Sequence, residues 1–342
     1  MIKDNISKLV KGENLSADEM KFAIKGMMSG NADPASTAAF LTALAIKGET
    51  VDEVIAAVKV MRQLAISVPL SFKEPVVDSV GTGGEFSNLL NISTASCIVA
   101  SAAGVKIAKY GNIASNSSSG SADVLAQAGV NLKLSGEKIL ESIKECNFGF
   151  MYAPHFHSAL KFVNPIRKSI AIRTIFNLLS PICNPSGVQY QVLGVYDKKW
   201  LRPLTEICSK LGSKHILAVS SENGLDEFSL VDRNFVCELK EDGIYEYEVN
   251  PKDYGMNYSV GNKLFANNPK ESLDLMLKIF KGEDKEDGLD ILALNTAAIF
   301  LVAEKTLYFK DGIELAKKTI ESGAALKQLD KIVETSNELA QS

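Results

Sequence analysis

"DSVGTGGEFSNLLNISTAS", residues 78–96, is the stretch on which the fold turns. It begins as the end of a β-rich run, "VVDSV" (76–80), and passes through Gly81, Gly83 and Gly84. It closes on "NIST" (91–94), in front of an apolar helical stretch. Strand, glycine loop and helix in that order form the building unit of a parallel α/β sheet. The glycines allow backbone to approach a ligand closely with its N–H groups turned inward. NIST stands where the next helix starts, so its hydroxyls and the helix N-terminus make a natural phosphate cradle. A GTGG turn alone is more often a plain βα connection. NIST seven residues beyond the last glycine makes the ligand loop the stronger reading.

Outward from this unit the rhythm repeats. "VKIAK" (105–109), "FGFMYA" (148–153), "YQVLGVY" (190–196) and "HILAVS" (215–220) read as further strands, and helical stretches such as "WLRPLTEICSKLG" separate them. "ELKEDGIYEYEV" (238–249) predicts a hairpin with Asp242-Gly243 in its turn, and amphipathic helices follow to the C-terminus. Upstream, "SADE" (16–19) and "TVDE" (50–53) have capping-box spacing, and Asp33-Pro34 sets a cap before a first-turn proline. The expected fold class is α/β, with a small N-terminal helical domain over residues 1–70, joined by part of 164–187. A larger α/β domain with a mostly parallel central sheet is expected over 76–342.

"KYGNIASNSSSGSAD" (109–123) has the composition of a flexible linker, yet it is pinned between a strand and the next helix. Lys109 could neutralise a phosphate, Gly111 gives clearance, and Ser117, Ser119 and Ser121 supply short donors. Loops at the carboxyl ends of adjacent strands converge on one crevice, so two such loops suit a ligand with two separated phosphate groups. "GLDE" (224–227) places Asp226 beside Glu227. Such a pair is usually a solvated turn, but beside phosphates it is a Mg²⁺ anchor. Arg167 and Arg173 read equally well as surface residues or, for Arg167, as a bidentate carboxylate fork.

Composition narrows the classes. A net charge of −4 gives no reason to expect attraction to nucleic acid or an anionic membrane. Five cysteines without a CxxC pair fit reduced thiols. His155 and His157 lack the i,i+4 spacing of a helix-borne zinc pair. No apolar run reaches membrane-spanning length, and "MIKDNISKLV" lacks a signal-peptide core, so a cytoplasmic location is expected.

Taken together, "VGTGGE", "NISTAS", "KYGN" with "SGSADVLAQAGV", "FMYAPHFH", "PIRKSIAIRTIFNLLSPICNP" and "GLDE" resemble the anthranilate phosphoribosyltransferases of tryptophan biosynthesis, in order and over most of the chain. The resemblance implies a homodimer formed through the helical domain. It also implies Mg²⁺-assisted displacement of pyrophosphate from phosphoribosyl pyrophosphate by the amine of anthranilate. Carried over by position, Gly81, Gly84 and Glu85 would line the diphosphate and ribose. Asn91, Ser93 and Thr94, with the intervening Ile92, would bind diphosphate, Ser93 also lying near Mg²⁺. Lys109 would offset pyrophosphate charge, and Gly111–Ser117 with Ser121 would wrap it. Asp226 and Glu227 would hold metal, and Asn112, Arg167 and His157 would contact the aromatic acid.

The chain also departs from the family pattern. Glu85 stands for Asp, Leu89 for Thr, and "YGNI" for His-Gly-Asn-Arg, so Tyr110 and Ile113 replace a histidine and a cation. Ser180 replaces a Gly, and the usual His near Ser220 is missing. Tyr110, Ile113 and Ser180 raise the alternative of another aromatic or heterocyclic acceptor. A non-catalytic, nucleic-acid-binding relative would be expected to have a basic groove and no acidic pair.

Overall fold

A computed structural model describes residues 2–83, 88–114, 118–256 and 264–342. Four helices come first: α1 (Ile2–Val10), α2 (Ala17–Met28), α3 (Pro34–Lys47) and α4 (Val51–Leu64). Their starts follow the capping chemistry. Ser16 and Glu19 bond reciprocally at α2, as do Thr50 and Glu53 at α4, and Asp33 accepts the Ser36 N–H ahead of Pro34 at α3. Glu53 is fully buried, and its charge is satisfied by Lys47 Nζ at 2.9 Å and by the Leu15 N–H at 2.8 Å.

Among the described residues seven strands form one sheet: β1 (Val76–Gly81), β2 (Lys106–Gly111), β3 (Phe148–Tyr152), β4 (Tyr190–Gly194), β5 (His215–Ser221), β6 (Asn234–Lys240) and β7 (Gly243–Val249). The order is β3-β2-β1-β4-β5-β6-β7, with β1 to β5 mutually parallel and β6 and β7 antiparallel. Between and after the strands lie α5 (Ile92–Ala102), α6 (Ser121–Gln127), α7 (Gly136–Cys146), α8 (Ala153–Phe156), α9 (Asn164–Ile170), α10 (Ile175–Ile182), α11 (Leu201–Lys210), α12 (Pro269–Phe280), α13 (Asp287–Val302), α14 (Phe309–Glu321) and α15 (Ala324–Gln341).

The parallel strands are buried along most of their length because helices cover both faces. On one face Ile107 and Leu217 pack with Ile98 of α5 and Leu294 and Phe300 of α13. On the other, Leu193 and Ile216 share a cluster with Leu204 of α11, Phe176 and Leu179 of α10, and Phe40 and Leu44 of α3. The helical N-terminus is thus packed into the same apolar layer as half of the sheet. All five cysteines are buried and unpaired. No helix among the described residues is long and apolar enough to cross a membrane.

The hairpin differs from its sequence reading in one detail. Lys240 pairs directly with Gly243, so the turn is Glu241-Asp242 and Gly243 opens the return strand. The Tyr245 hydroxyl donates to Asp242 Oδ2 at 2.7 Å and pins that turn. The first strand also reaches back to Asn234, because Val236 and Cys237 are buried against β5.

Candidate active site

The chain leaves β1 toward β2 and β3 on one side of the sheet, while β4 leads to β5 on the other. The carboxyl ends of the neighbouring β1 and β4 therefore sit where the connections diverge, the usual position of a ligand crevice in open α/β sheets. Gly81 and Gly194 face each other across this point. The Thr82 N–H donates to Gly194 O at 3.0 Å, and the Tyr196 N–H donates to Thr82 Oγ1 at 3.0 Å.

The GLDE segment that follows β5 folds onto this floor. Asp226 is buried, and its Oδ2 accepts the Gly83 N–H at 2.8 Å. A Cβ on Gly81 would collide with that carboxylate, and one on Gly194 would collide with the Asp226 carbonyl. The clearance that the sequence suggests for a ligand at Gly81 is thus taken by the chain's own acidic residue.

Glu227 points to α5, where its Oε1 accepts the Ser93 N–H at 3.0 Å. A carboxylate on the first turn of a helix complements its positive end. Burial, and after it the neighbouring Asp226, push the Glu227 carboxyl well above the ordinary range. Two crowded, poorly hydrated carboxylates favour a cation between them. Lys109 is only 1% exposed, and its Nζ donates to Ser79 O at 2.6 Å and to Ser93 Oγ at 3.4 Å. Ser93 is the shared atom group: its N–H holds Glu227 and its hydroxyl meets Lys109.

Within NIST the four residues behave differently. Thr94 is buried, and its hydroxyl has no hydrogen-bond partner among the described residues. Ile92 is wholly inside the core, so as a binding residue it has only backbone to offer. Asn91 is a brace. Its Nδ2 donates to Ser119 O at 3.0 Å, and its Oδ1 accepts the hydroxyls of Ser119 at 2.9 Å and Ser272 at 2.8 Å.

The serine-rich loop is closed at its neck by Asp123, whose Oδ2 accepts the N–H of Ala114 at 2.7 Å and of Gly120 at 2.9 Å. Asn112 O takes the Ala122 N–H at 3.1 Å, and Ser121 Oγ lies 3.5 Å from the same oxygen, beside Gly111. A third segment joins from far along the chain. Leu89 bridges to Phe265, and Ser118 Oγ donates to Ala266 O at 2.6 Å. Gly84, Glu85 and Ser117 lie outside the described residues.

Farther along the chain, Arg167 of α9 donates to the amide oxygens of Asn164 and Asn177, both at 3.4 Å, and stacks 5.5 Å from the Phe176 ring. Arg173 lies 3.9 Å over the Tyr196 ring. His157 is fully buried, with Nδ1 3.0 Å from the Tyr110 hydroxyl. Ile113 is half exposed at the loop, and Ser180 is exposed on α10.

The sequence reading passes over Asp78 and Asn184. Asp78 is fully buried; its Oδ1 accepts the Tyr110 N–H at 3.3 Å and its Oδ2 the Asn184 Nδ2 at 2.8 Å. Burial, partly opposed by Lys109, pushes its carboxyl up to about 6. The signal available was a carboxylate inside the β-rich run "VVDSV".

The glycosyl transferase family matches this chain through its a/b domain over residues 73–326 and its helical bundle domain over residues 3–65. The anthranilate phosphoribosyltransferase of Methanobrevibacter smithii is 44% identical over 98% of this chain and 100% of its own length. The crystal structure of the Thermus thermophilus enzyme superposes with a TM-score of 0.89 at 36% identity, covering 98% of this chain and 99% of that one. The Saccharomyces cerevisiae enzyme in complex with PRPP and Mg gives 0.90 at 27% identity, over 98% of both chains. Sequence, architecture and the residues gathered at the strand ends agree: the chain belongs to the anthranilate phosphoribosyltransferase family.

Proposed function

We propose that this chain transfers the phosphoribosyl group of phosphoribosyl pyrophosphate to the amine of anthranilate, releasing pyrophosphate, in tryptophan biosynthesis. The observation that carries the proposal is the convergence of Asp226, Glu227, Ser93 and Lys109 at the β1–β4 divergence. In the reaction the amine nitrogen bonds to C1 of the ribose as the C1–O bond breaks. Pyrophosphate leaves with the electron pair, and the nitrogen releases one proton. An aromatic amine is unprotonated at neutral pH, so positioning and charge stabilisation do most of the work. This accords with a site rich in backbone donors and short of histidine.

The donor set suits Mg²⁺. Asp226, Glu227 and the Ser93 hydroxyl are hard oxygen ligands, and Mg²⁺ commonly takes one or two carboxylates and completes its shell with water and substrate oxygens. Among the described residues no group of three or more His, Cys, Asp or Glu side chains could form a cage by itself, in keeping with that mode. When bound, the ion supplies charge neutralisation for the departing pyrophosphate. Lys109 adds a fixed positive charge from below. Asn91, Ser93, Thr94, Gly111, Asn112 and Ser121 would hold the donor, with Gly81 and Ile92 contributing through backbone alone, and Gly84, Glu85 and Ser117 belong to the same proposal. Arg167, whose partners are weakly bonded amides, would take the acceptor carboxylate with Asn112 and His157.

A homodimer through the helical domain, division of the chain at 1–70 and 76–342 with part of 164–187 joining the first, and a cytoplasmic location complete the proposal. Val10, Phe22 and Ile46, exposed on α1 to α3, support an interface there. The test is incubation of the purified chain with phosphoribosyl pyrophosphate, anthranilate and Mg²⁺, following anthranilate fluorescence and pyrophosphate together. Equimolar loss and release are expected. No consumption of anthranilate, with donor binding intact by calorimetry, would overturn the acceptor assignment.

A further inference from the structure

β1 and β2 pair at their amino ends and part at their carboxyl ends. Their register joins Val76 to Lys106 and Val77 to Ile107, whereas β1 stays paired with β4 through Gly81 and β2 with β3 through Gly111. Beyond Val77 and Ile107, side chains take over three backbone groups. Asn184 Nδ2 donates to Ala108 O at 2.9 Å, the Tyr110 N–H donates to Asp78 Oδ1 at 3.3 Å, and Lys109 Nζ donates to Ser79 O at 2.6 Å. Asp78, Asn184 and Lys109 are 0%, 2% and 1% exposed.

The Asp78–Asn184 pair is held in one orientation. Asn184 stands between α10 and β4, and its Oδ1 accepts the N–H and the hydroxyl of Ser186, at 2.9 and 2.7 Å. Its Nδ2 is thereby turned to Asp78 Oδ2, at 2.8 Å, as well as to Ala108 O. A flipped amide would set its oxygen against a carboxylate and a carbonyl. Ala108 and Tyr110 flank Lys109, so the two bonds fix β2 on either side of it, while β3 holds Lys109 in register with Phe150. From that fixed point the lysine reaches Ser93 Oγ at 3.4 Å, and the Ser93 N–H donates to Glu227 Oε1 at 3.0 Å. The ammonium and the acidic segment thus meet on one serine.

We propose that Asp78 and Asn184 are positioning residues for Lys109: they fill the opening between β1 and β2 and hold the ammonium against Ser93, where its charge acts on the departing pyrophosphate. The proposal rests on the reading of Lys109 as a donor-site charge given above. It assigns the pair a role that does not require contact with substrate. A buried charge acts strongly at short range, and one already fixed in place needs no reorganisation as charge develops on the leaving group. Loss of either partner frees the backbone beside Lys109 and lets the ammonium drift from that position.

The test is a double-mutant cycle on the affinity for pyrophosphate, measured by calorimetry with Mg²⁺ present. Asn184→Ala should weaken binding about threefold to tenfold, and the isosteric Asp78→Asn, which sets one amide donor against another, about twofold to fivefold. Lys109→Met should weaken it more than either. In a Lys109→Met background both substitutions should add nothing, because the group they position is gone. KM for anthranilate should not move in either single variant. An Asn184→Ala effect that persists undiminished beside Lys109→Met overturns the proposal, since a general loss of structure produces that result. Wild-type pyrophosphate affinity in both single variants overturns it as well. Should Asn184→Ala fail to fold, as judged by circular dichroism, Asp78→Asn carries the same cycle. A Lys109→Met protein with wild-type affinity would instead refute the donor-site reading of Lys109, and the proposal with it, so the two failures are distinguishable.

Discussion

Gly194→Ala is the sharpest perturbation of the site. The new methyl group would land on the Asp226 carbonyl oxygen, with the Asp226 carbonyl carbon at 2.8 Å and the Gly81 Cα at 3.1 Å. All three are backbone atoms, so no rotamer change relieves the clash. Either the GLDE segment lifts or β1 and β4 separate. Overpacking of this kind costs about 1–3 kcal/mol, and each kcal/mol lowers the melting midpoint of a domain of this size by about 2–4 °C. If the acidic segment lifts, the Asp226 bond to the Gly83 N–H at 2.8 Å is lost as well. The Mg²⁺ concentration giving half-maximal activity should then rise. Gly26→Ala is the control: its Cβ meets nothing within 4 Å inside α2, and the substitution should stabilise by about 0.5–1 kcal/mol. The assay is a thermal melt beside a Mg²⁺ titration of turnover. A Gly194→Ala protein that melts with the wild type and keeps its Mg²⁺ dependence would refute the reasoning.

Two further outcomes follow from buried polar groups. Asn91→Ala removes the brace between the NIST segment, Ser119 and Ser272. It should cost about 1–3 kcal/mol of stability and raise KM for phosphoribosyl pyrophosphate more than that for anthranilate; unchanged values of both would contradict the bracing role. Asp78 has its folded-state pKa raised from 3.8 to about 6, so the folded protein holds the extra proton. Its contribution is complete below about pH 3.8 and is lost as pH rises through about 6, a swing of about 3 kcal/mol. Asp78→Asn should flatten that part of the stability–pH profile measured by urea denaturation, and an unaltered slope between pH 4 and 7 would count against it.

Much of the architecture is written in local pattern. Continuous apolar runs mark the buried parallel strands, and Ser16, Asp33 and Thr50 mark the helix starts. GTGG, NIST and GLDE are legible because each is a short segment with its own chemistry. Their convergence is not, since it depends on which strands lie side by side. Glu227 meets Ser93 across 134 residues only because β4 is placed next to β1. Periodicity says nothing of that pairing. The same holds for Ser272, an unremarkable serine that acquires its meaning from Asn91, a distant partner. Gly81 shows a subtler limit: the lack of a side chain is visible in the sequence, but the Asp226 carboxylate that needs the space is not.

The knot of bonds around Asn91 has a consequence during synthesis. Asn91 and Ser272 are joined although 181 residues separate them, and Ser118 reaches Ala266 across 148. A ribosome that has made only the glycine loops has therefore not yet made their fastening. Nascent chains stalled before Ser272 should be unable to retain the sugar donor, and the last third of the polypeptide acts as the latch that brings the enzyme into service late in its own translation.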